Sequence, residues 1–221
     1  MTLPTSQGQS SSGYQGDALG WFRQPLVGLL LVCVVHIGSG CGTSGGGTAR
    51  IEPTYDRATG RLQLLKYDAD GDGNVDTWSY MDGAKVTRIE IDTNHDALID
   101  RWEYYGAGEK VDKVGTSRSQ DGNPDSWAYY ADDGSIARLE LSMRRKGRVD
   151  RIEYYQQGTV VRAEEDTGGD GQIDKWEVYE GQQLVSVAFD TTRSGYPDRR
   201  LVYALDGSAR VEVLSPPHAR P

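Results

Sequence analysis

Residues 76–81 read DTWSYM, residues 100–105 DRWEYY, residues 125–130 DSWAYY and residues 174–179 DKWEVY. Aligned on Trp78, the anchor position recurs at Trp102, Trp127, Ile152, Trp176 and Arg200, at spacings of 24, 25, 25, 24 and 24. Two residues before each anchor stands an Asp: Asp76, Asp100, Asp125, Asp150, Asp174 and Asp198. Three residues after it a Tyr recurs, at Tyr105, Tyr130, Tyr155, Tyr179 and Tyr203, with Met81 in the first copy. Self-similarity at a short fixed period is the signature of a repeat architecture.

Working outward from the anchor, each unit reads as loop, strand, turn, strand. The Trp-x-Tyr-Tyr segment is dense in residues that suit a pleated surface. A Gly-bearing turn follows, as at Asp82-Gly83, Asp133-Gly134, Gln157-Gly158 and Glu180-Gly181, where Gly supplies positive φ without steric cost. The second strand alternates, most clearly in Arg88-Ile89-Glu90-Ile91 and Arg138-Leu139-Glu140-Leu141. The fold expected is therefore all-β: six hairpin units of about 24 residues, preceded by a half unit at 55–67, stacked into an elongated antiparallel sheet or roll. A side-chain period of two predicts that Ile89, Ile91, Leu139 and Leu141 share an inner face with the Trp anchors, leaving Arg88 and Glu90 to stack with the outer Tyr residues.

Composition narrows the functional classes. The 221 residues carry 24 Lys+Arg against 33 Asp+Glu, a net charge of −9, which argues against nucleic acid as a partner. Three His and two Cys leave no material for a zinc finger, a disulfide scaffold or a Cys–His catalytic pair. No Ser lies in a nucleophile elbow, and the acidic pairs repeat in every unit, as a scaffold does rather than a single catalytic dyad. The expectation is a protein without enzymatic activity.

The N-terminal 40 residues have a different character. After Arg23 comes the apolar run PLVGLLLVCVVHI, Pro25 to Ile37, too short for an ordinary membrane-spanning helix and of the length of a signal-peptide core. Gly38-Ser39-Gly40 precede Cys41, and the flexible stretch GTSGGGTAR follows. This resembles a bacterial lipoprotein signal. The resemblance implies that Cys41 is lipidated and becomes the first residue of an exported protein, held at the cell envelope by its lipid alone. The domains expected are a leader at 1–40, a linker at 41–50, the repeats at 51–214 and a tail at 215–221.

The loops between units carry the chemistry. Loop 1 (68–76) reads DADGDGNVD, and its Asp68, Asp70, Asp72, Asn74 and Asp76 resemble the oxygen ligands of an EF-hand calcium loop, with Gly73 at the sharp turn. The twelfth position is Ser79 rather than the bidentate Glu of that motif. Loop 2 (92–100) keeps Asp92, Asn94, Asp96 and Asp100 but has Ala97 in place of Gly. Loop 5 (166–174) keeps Asp166, Asp170, Gly171 and Asp174. Loops 3 (117–125), 4 (142–150) and 6 (190–198) are depleted, and loop 4 substitutes Arg144 and Lys146, basic residues that stand as an internal replacement for a cation or as a solvated charge run. The ninth-position Asp persists in every loop, which marks it as a turn residue accepting backbone N–H groups. The acidic triplets of loops 1 and 2 point to Ca2+, because turn capping needs one Asp rather than three. His95 reads as a solvated turn residue.

The Tyr-rich hairpin with its Gly turn resembles MORN-type repeats, including MORN-like repeats of bacteria, and the Trp-Tyr-Tyr hairpins of choline- and glucan-binding cell-wall proteins. The likeness spans about residues 55–214. Two functions are carried forward: a calcium-stabilised scaffold or interaction surface for an envelope partner, and a carbohydrate-binding module using Trp78, Trp102, Trp127 and Trp176 as stacking platforms.

Overall fold

The β-branched and aromatic segments form strands and the Gly-bearing segments form their turns, in a computed structural model that describes residues 48–144 and 147–215. The strands are β1 (Arg50–Tyr55), β2 (Leu62–Asp68), β3 (Thr77–Asp82), β4 (Lys85–Ile91), β5 (Arg101–Tyr105), β6 (Val111–Thr116), β7 (Ser126–Tyr130), β8 (Ile136–Leu141), β9 (Arg151–Gln156), β10 (Thr159–Glu165), β11 (Lys175–Glu180), β12 (Gln183–Phe189), β13 (Arg199–Tyr203) and β14 (Ala209–Val213). They make one open 14-stranded sheet whose spatial order is the sequence order. Every pairing is antiparallel. The tandem-hairpin architecture expected from the repeat is the architecture found. In place of the half unit expected at 55–67 a whole hairpin is found, β1 and β2 pairing from Arg50 and Asp68 to Tyr55 and Leu62. The leader, the apolar run and Cys41 lie outside the described residues, as does the tail beyond Ser215.

The assignment of faces differs from the sequence expectation. Trp78 lies opposite Glu90 and Tyr80 opposite Arg88, while Ile89 lies opposite Ser79. The Trp anchors therefore share a face with the charged residues, and the aliphatic residues line the other. A register shift between Tyr80 and Met81 is the cause: Met81 pairs with Val86 but Tyr80 with Arg88, leaving Thr87 as an extra residue. One inserted residue exchanges the faces of everything beyond it. The same shift occurs in the hairpins β1–β2, β5–β6, β7–β8, β9–β10 and β11–β12.

The core sits on the aliphatic face. The row Ile89–Glu103–Val114–Ala128–Leu139–Glu153–Ala163–Glu177–Val187 crosses nine strands, and Val114, Ala128, Leu139 and Ala163 are essentially inaccessible to solvent. Its glutamates all have partners, Glu103 and Glu177 being buried and Glu153 half-buried. Arg101 Nε donates to Glu103 Oε1 at 2.6 Å and Tyr105 Oη–H to Glu103 Oε2 at 2.6 Å. Arg151, Glu153 and Tyr155 repeat the arrangement at 2.7 Å each. Burial, reinforced by these carboxylates, pushes the Tyr105 and Tyr155 hydroxyls up from their ordinary values.

On the opposite face basic side chains stack on tyrosines, but on Tyr80, Tyr129 and Tyr154 beside the Trp anchors and not on the outer tyrosines as expected; Tyr105 and Tyr155 of that outer set join the aliphatic face instead. Arg88 lies 3.9 Å from the Tyr80 ring centre, Arg138 4.1 Å from Tyr129 and Arg162 4.0 Å from Tyr154. The four Trp anchors are half-buried there. Trp127 packs against Gly115, where a Cβ would meet its ring at 2.7 Å.

Candidate metal centre

The six loops stack along one edge of the sheet because the ninth-position residue belongs to two hydrogen-bond ladders at once. Its N–H donates to the strand just before its own loop, as Asp76 does to Tyr67 O at 2.9 Å. Its carbonyl accepts from the first residue of the next loop, as Asp76 O does from Asp92 N at 2.8 Å. The pattern continues through Ser117 to Asp100, Ser142 to Asp125, Asp166 to Asp150 and Asp190 to Asp174. Side chains of successive loops are thereby brought within reach of one another, although about 24 residues separate them in sequence.

Within each loop the ninth-position carboxylate accepts N–H groups from the second or third position. Ala69 N–H donates to Asp76 Oδ2 at 2.6 Å, Met143 and Arg144 to Asp150 at 2.7 and 3.1 Å, and Thr167 and Gly168 to Asp174 at 2.9 and 3.2 Å. This is the structural role expected of that Asp. The other acidic residues cap as well, which corrects the expectation that one Asp suffices. Asp68 accepts from Gly71 and Gly73, Asp70 from Asp72, and Asp72 from Asn74. In loop 2 Asp92 accepts from Asp96 and Ala97, Asn94 from Asp96, and Asp96 from Leu98. Carboxylate number alone therefore does not demand an ion. Each oxygen nevertheless has two lone pairs, so capping leaves capacity for ligation.

Convergence separates the loops. In loop 1 one oxygen from each of Asp68, Asp70 and Asp72 falls within 4.8 Å of the others. Among the described residues the acidic groups of loops 2 and 5 form no such set of three. Loop 5 instead receives basic side chains from loop 4. Arg148 Nη2 stands 3.3 Å from Asp166 Oδ2, while Arg144 Nη2 donates to Asp166 O at 3.0 Å and to Thr167 O. Arg118 of loop 3 binds its own Asp125, Nε to Oδ1, at 3.2 Å. Arg144 and Arg148 thus reach loop 5 rather than their own loop, and Lys146 lies outside the described residues.

His95 is the residue that sequence reasoning missed. It is not a purely solvated turn residue: its Nδ1 lies 2.9 Å from Asp76 Oδ1 and 3.7 Å from Asp70 Oδ2, across the boundary between loops 2 and 1. The signal that points to it is a ligand-type residue in a loop whose neighbour is the most acidic of the six.

The Trp positions are not gathered into a cleft. Trp78, Trp102, Trp127 and Trp176 are separated along the sheet by Glu90, Gly115 and Glu140, Ile152 and Glu164. No protein-family model matches the chain, and no curated protein matches it.

Proposed function

We propose that this chain is a non-enzymatic, exported repeat protein, lipid-anchored through Cys41, that serves as a calcium-stabilised scaffold or interaction surface at the cell envelope. The observation that carries the calcium reading is the convergence of Asp68, Asp70 and Asp72 in loop 1, oxygen ligands at the spacing that suits a hard cation. Asn74 and Asp76 complete the donor set. Asp92, Asn94, Asp96 and Asp100 of loop 2 are a second, less gathered set. Asp166, Asp170 and Asp174 of loop 5 are assigned no ion, because Arg148 already pairs with Asp166 and the three carboxylates do not converge. The exported scaffold reading rests on the leader and on a sheet built wholly of repeats.

An ion that binds only the folded state stabilises it by mass action. The melting temperature of the full-length chain is therefore expected to rise with millimolar calcium and fall with chelator, and Asp70→Ala with Asp72→Ala to remove most of the rise. A calcium-independent melt would overturn the calcium reading.

The partial exposure of the Trp rings favours a second reading, carbohydrate binding on the Trp/Tyr face. It requires a change in Trp fluorescence on titration with cell-wall glycans; an unchanged spectrum across a panel excludes it.

A further inference from the structure

In five of the six loops both oxygens of the ninth-position Asp are taken by that loop's own groups. Thr93 holds Asp100, Thr167 and Gly168 hold Asp174, Thr191 holds Asp198, Arg118 and Ser119 hold Asp125, and Met143 and Arg144 hold Asp150. Loop 1 is the exception. Its second residue, Ala69, gives only its N–H, to Oδ2, and neither a second-residue hydroxyl, as in loops 2, 5 and 6, nor a third-residue N–H, as in loops 3 and 4, holds Oδ1. Asp76 is buried, only 4% exposed, and its remaining oxygen faces the imidazole of His95 from the next unit. Asp70 is likewise turned: Oδ1 accepts the Asp72 N–H, and Oδ2 faces the same nitrogen.

We infer that His95, Asp76 and Asp70 form a mixed nitrogen–oxygen site for a zinc-type divalent ion, bridging loops 1 and 2. Imidazole and carboxylate together suit such an ion, and a catalytic-type zinc centre has three protein ligands with water in the fourth position. Zinc bonds of about 2.0–2.1 Å imply ligand-to-ligand edges of about 3.3–3.4 Å in a tetrahedron. The two nitrogen-to-oxygen edges here, 2.9 and 3.7 Å, lie on either side of that value, and all three ligand atoms fall within 4.8 Å of one another. The site does not depend on calcium binding in loop 1. It shares Asp70 and Asp76 with that donor set, and the nitrogen sets it apart.

The test is titration of the full-length chain with zinc chloride in calcium-free buffer, followed by calorimetry, and with cobalt(II), followed by visible absorption. The expected result is tight binding with a tetrahedral cobalt spectrum. His95→Asn, which tolerates the same backbone, should weaken zinc by at least about tenfold and abolish the cobalt band, while any calcium-dependent melting shift persists. Ala69→Thr should also weaken zinc, because its hydroxyl would occupy Asp76 as Thr93 occupies Asp100, with His95 untouched. His36 and His218 remain in both variants. Zinc affinity unchanged by His95→Asn, or no zinc-dependent signal at all, overturns the proposal and leaves His95 as a hydrogen-bond partner of Asp76.

Discussion

Ala97 adopts a backbone φ of +68° at the sixth loop position, the place that Gly73, Gly122, Gly147, Gly171 and Gly195 fill in the other loops. The peptide N–H of this residue is directed at the first-position residue in loop 2 as in loops 1, 5 and 6. A Cβ in this left-handed conformation costs roughly 1–2 kcal/mol, offset in part by the greater unfolded-state entropy of Gly. Ala97→Gly is accordingly expected to raise stability by up to about 1 kcal/mol, measured as the urea midpoint at unchanged slope. The loop's acceptors, its turn residue and its departure from Gly were all legible in the sequence, since they are local. The pairing of His95 with Asp76 was not, because it depends on the bond between Asp92 N and Asp76 O that stacks one loop on the next.

At the scale of the strand and hairpin, the polar groups of the aliphatic face decide the response to acid. Burial disfavours a charged Glu177, but hydrogen bonds from Lys175 and Arg151, the charge of Arg151 and the Tyr179 hydroxyl outweigh it and lower its pKa from 4.5 to about 2. A carboxylate depressed in the folded state stabilises it fully above the unfolded value, and that stabilisation is lost as pH falls through the folded value. Wild-type stability should therefore decline from about pH 4.5 towards pH 2, and Glu177→Gln should flatten that part of the curve, as read by denaturation at successive pH values. The strands themselves were legible from alternation and Gly turns, but their faces were not. A two-residue turn at Gly83-Ala84 with unbroken register would set Trp78 opposite Ile89, as expected from period two; the extra Thr87 sets it opposite Glu90 instead. Nothing in the alternation of a single strand reveals a bulge, because it changes the relation between strands and leaves each strand's own pattern intact.

For the whole sheet, packing is between neighbours: each strand contacts the strands adjacent to it in sequence. Stability in such an array approximates a sum of unit and interface contributions. Excision of residues 117–141 joins Thr116 to Ser142 and removes one loop and one hairpin, β7–β8, while keeping the order of strand types. The shortened chain is expected to retain its β-sheet circular dichroism and a cooperative melt at lower temperature. Loss of folding would show that the sheet depends on contacts beyond nearest neighbours. Because the sheet never has to close on itself, no particular number of units is favoured by geometry. Unequal recombination within the gene could copy or drop one segment without disturbing the others, so lineages carrying this architecture should differ in length by whole multiples of it.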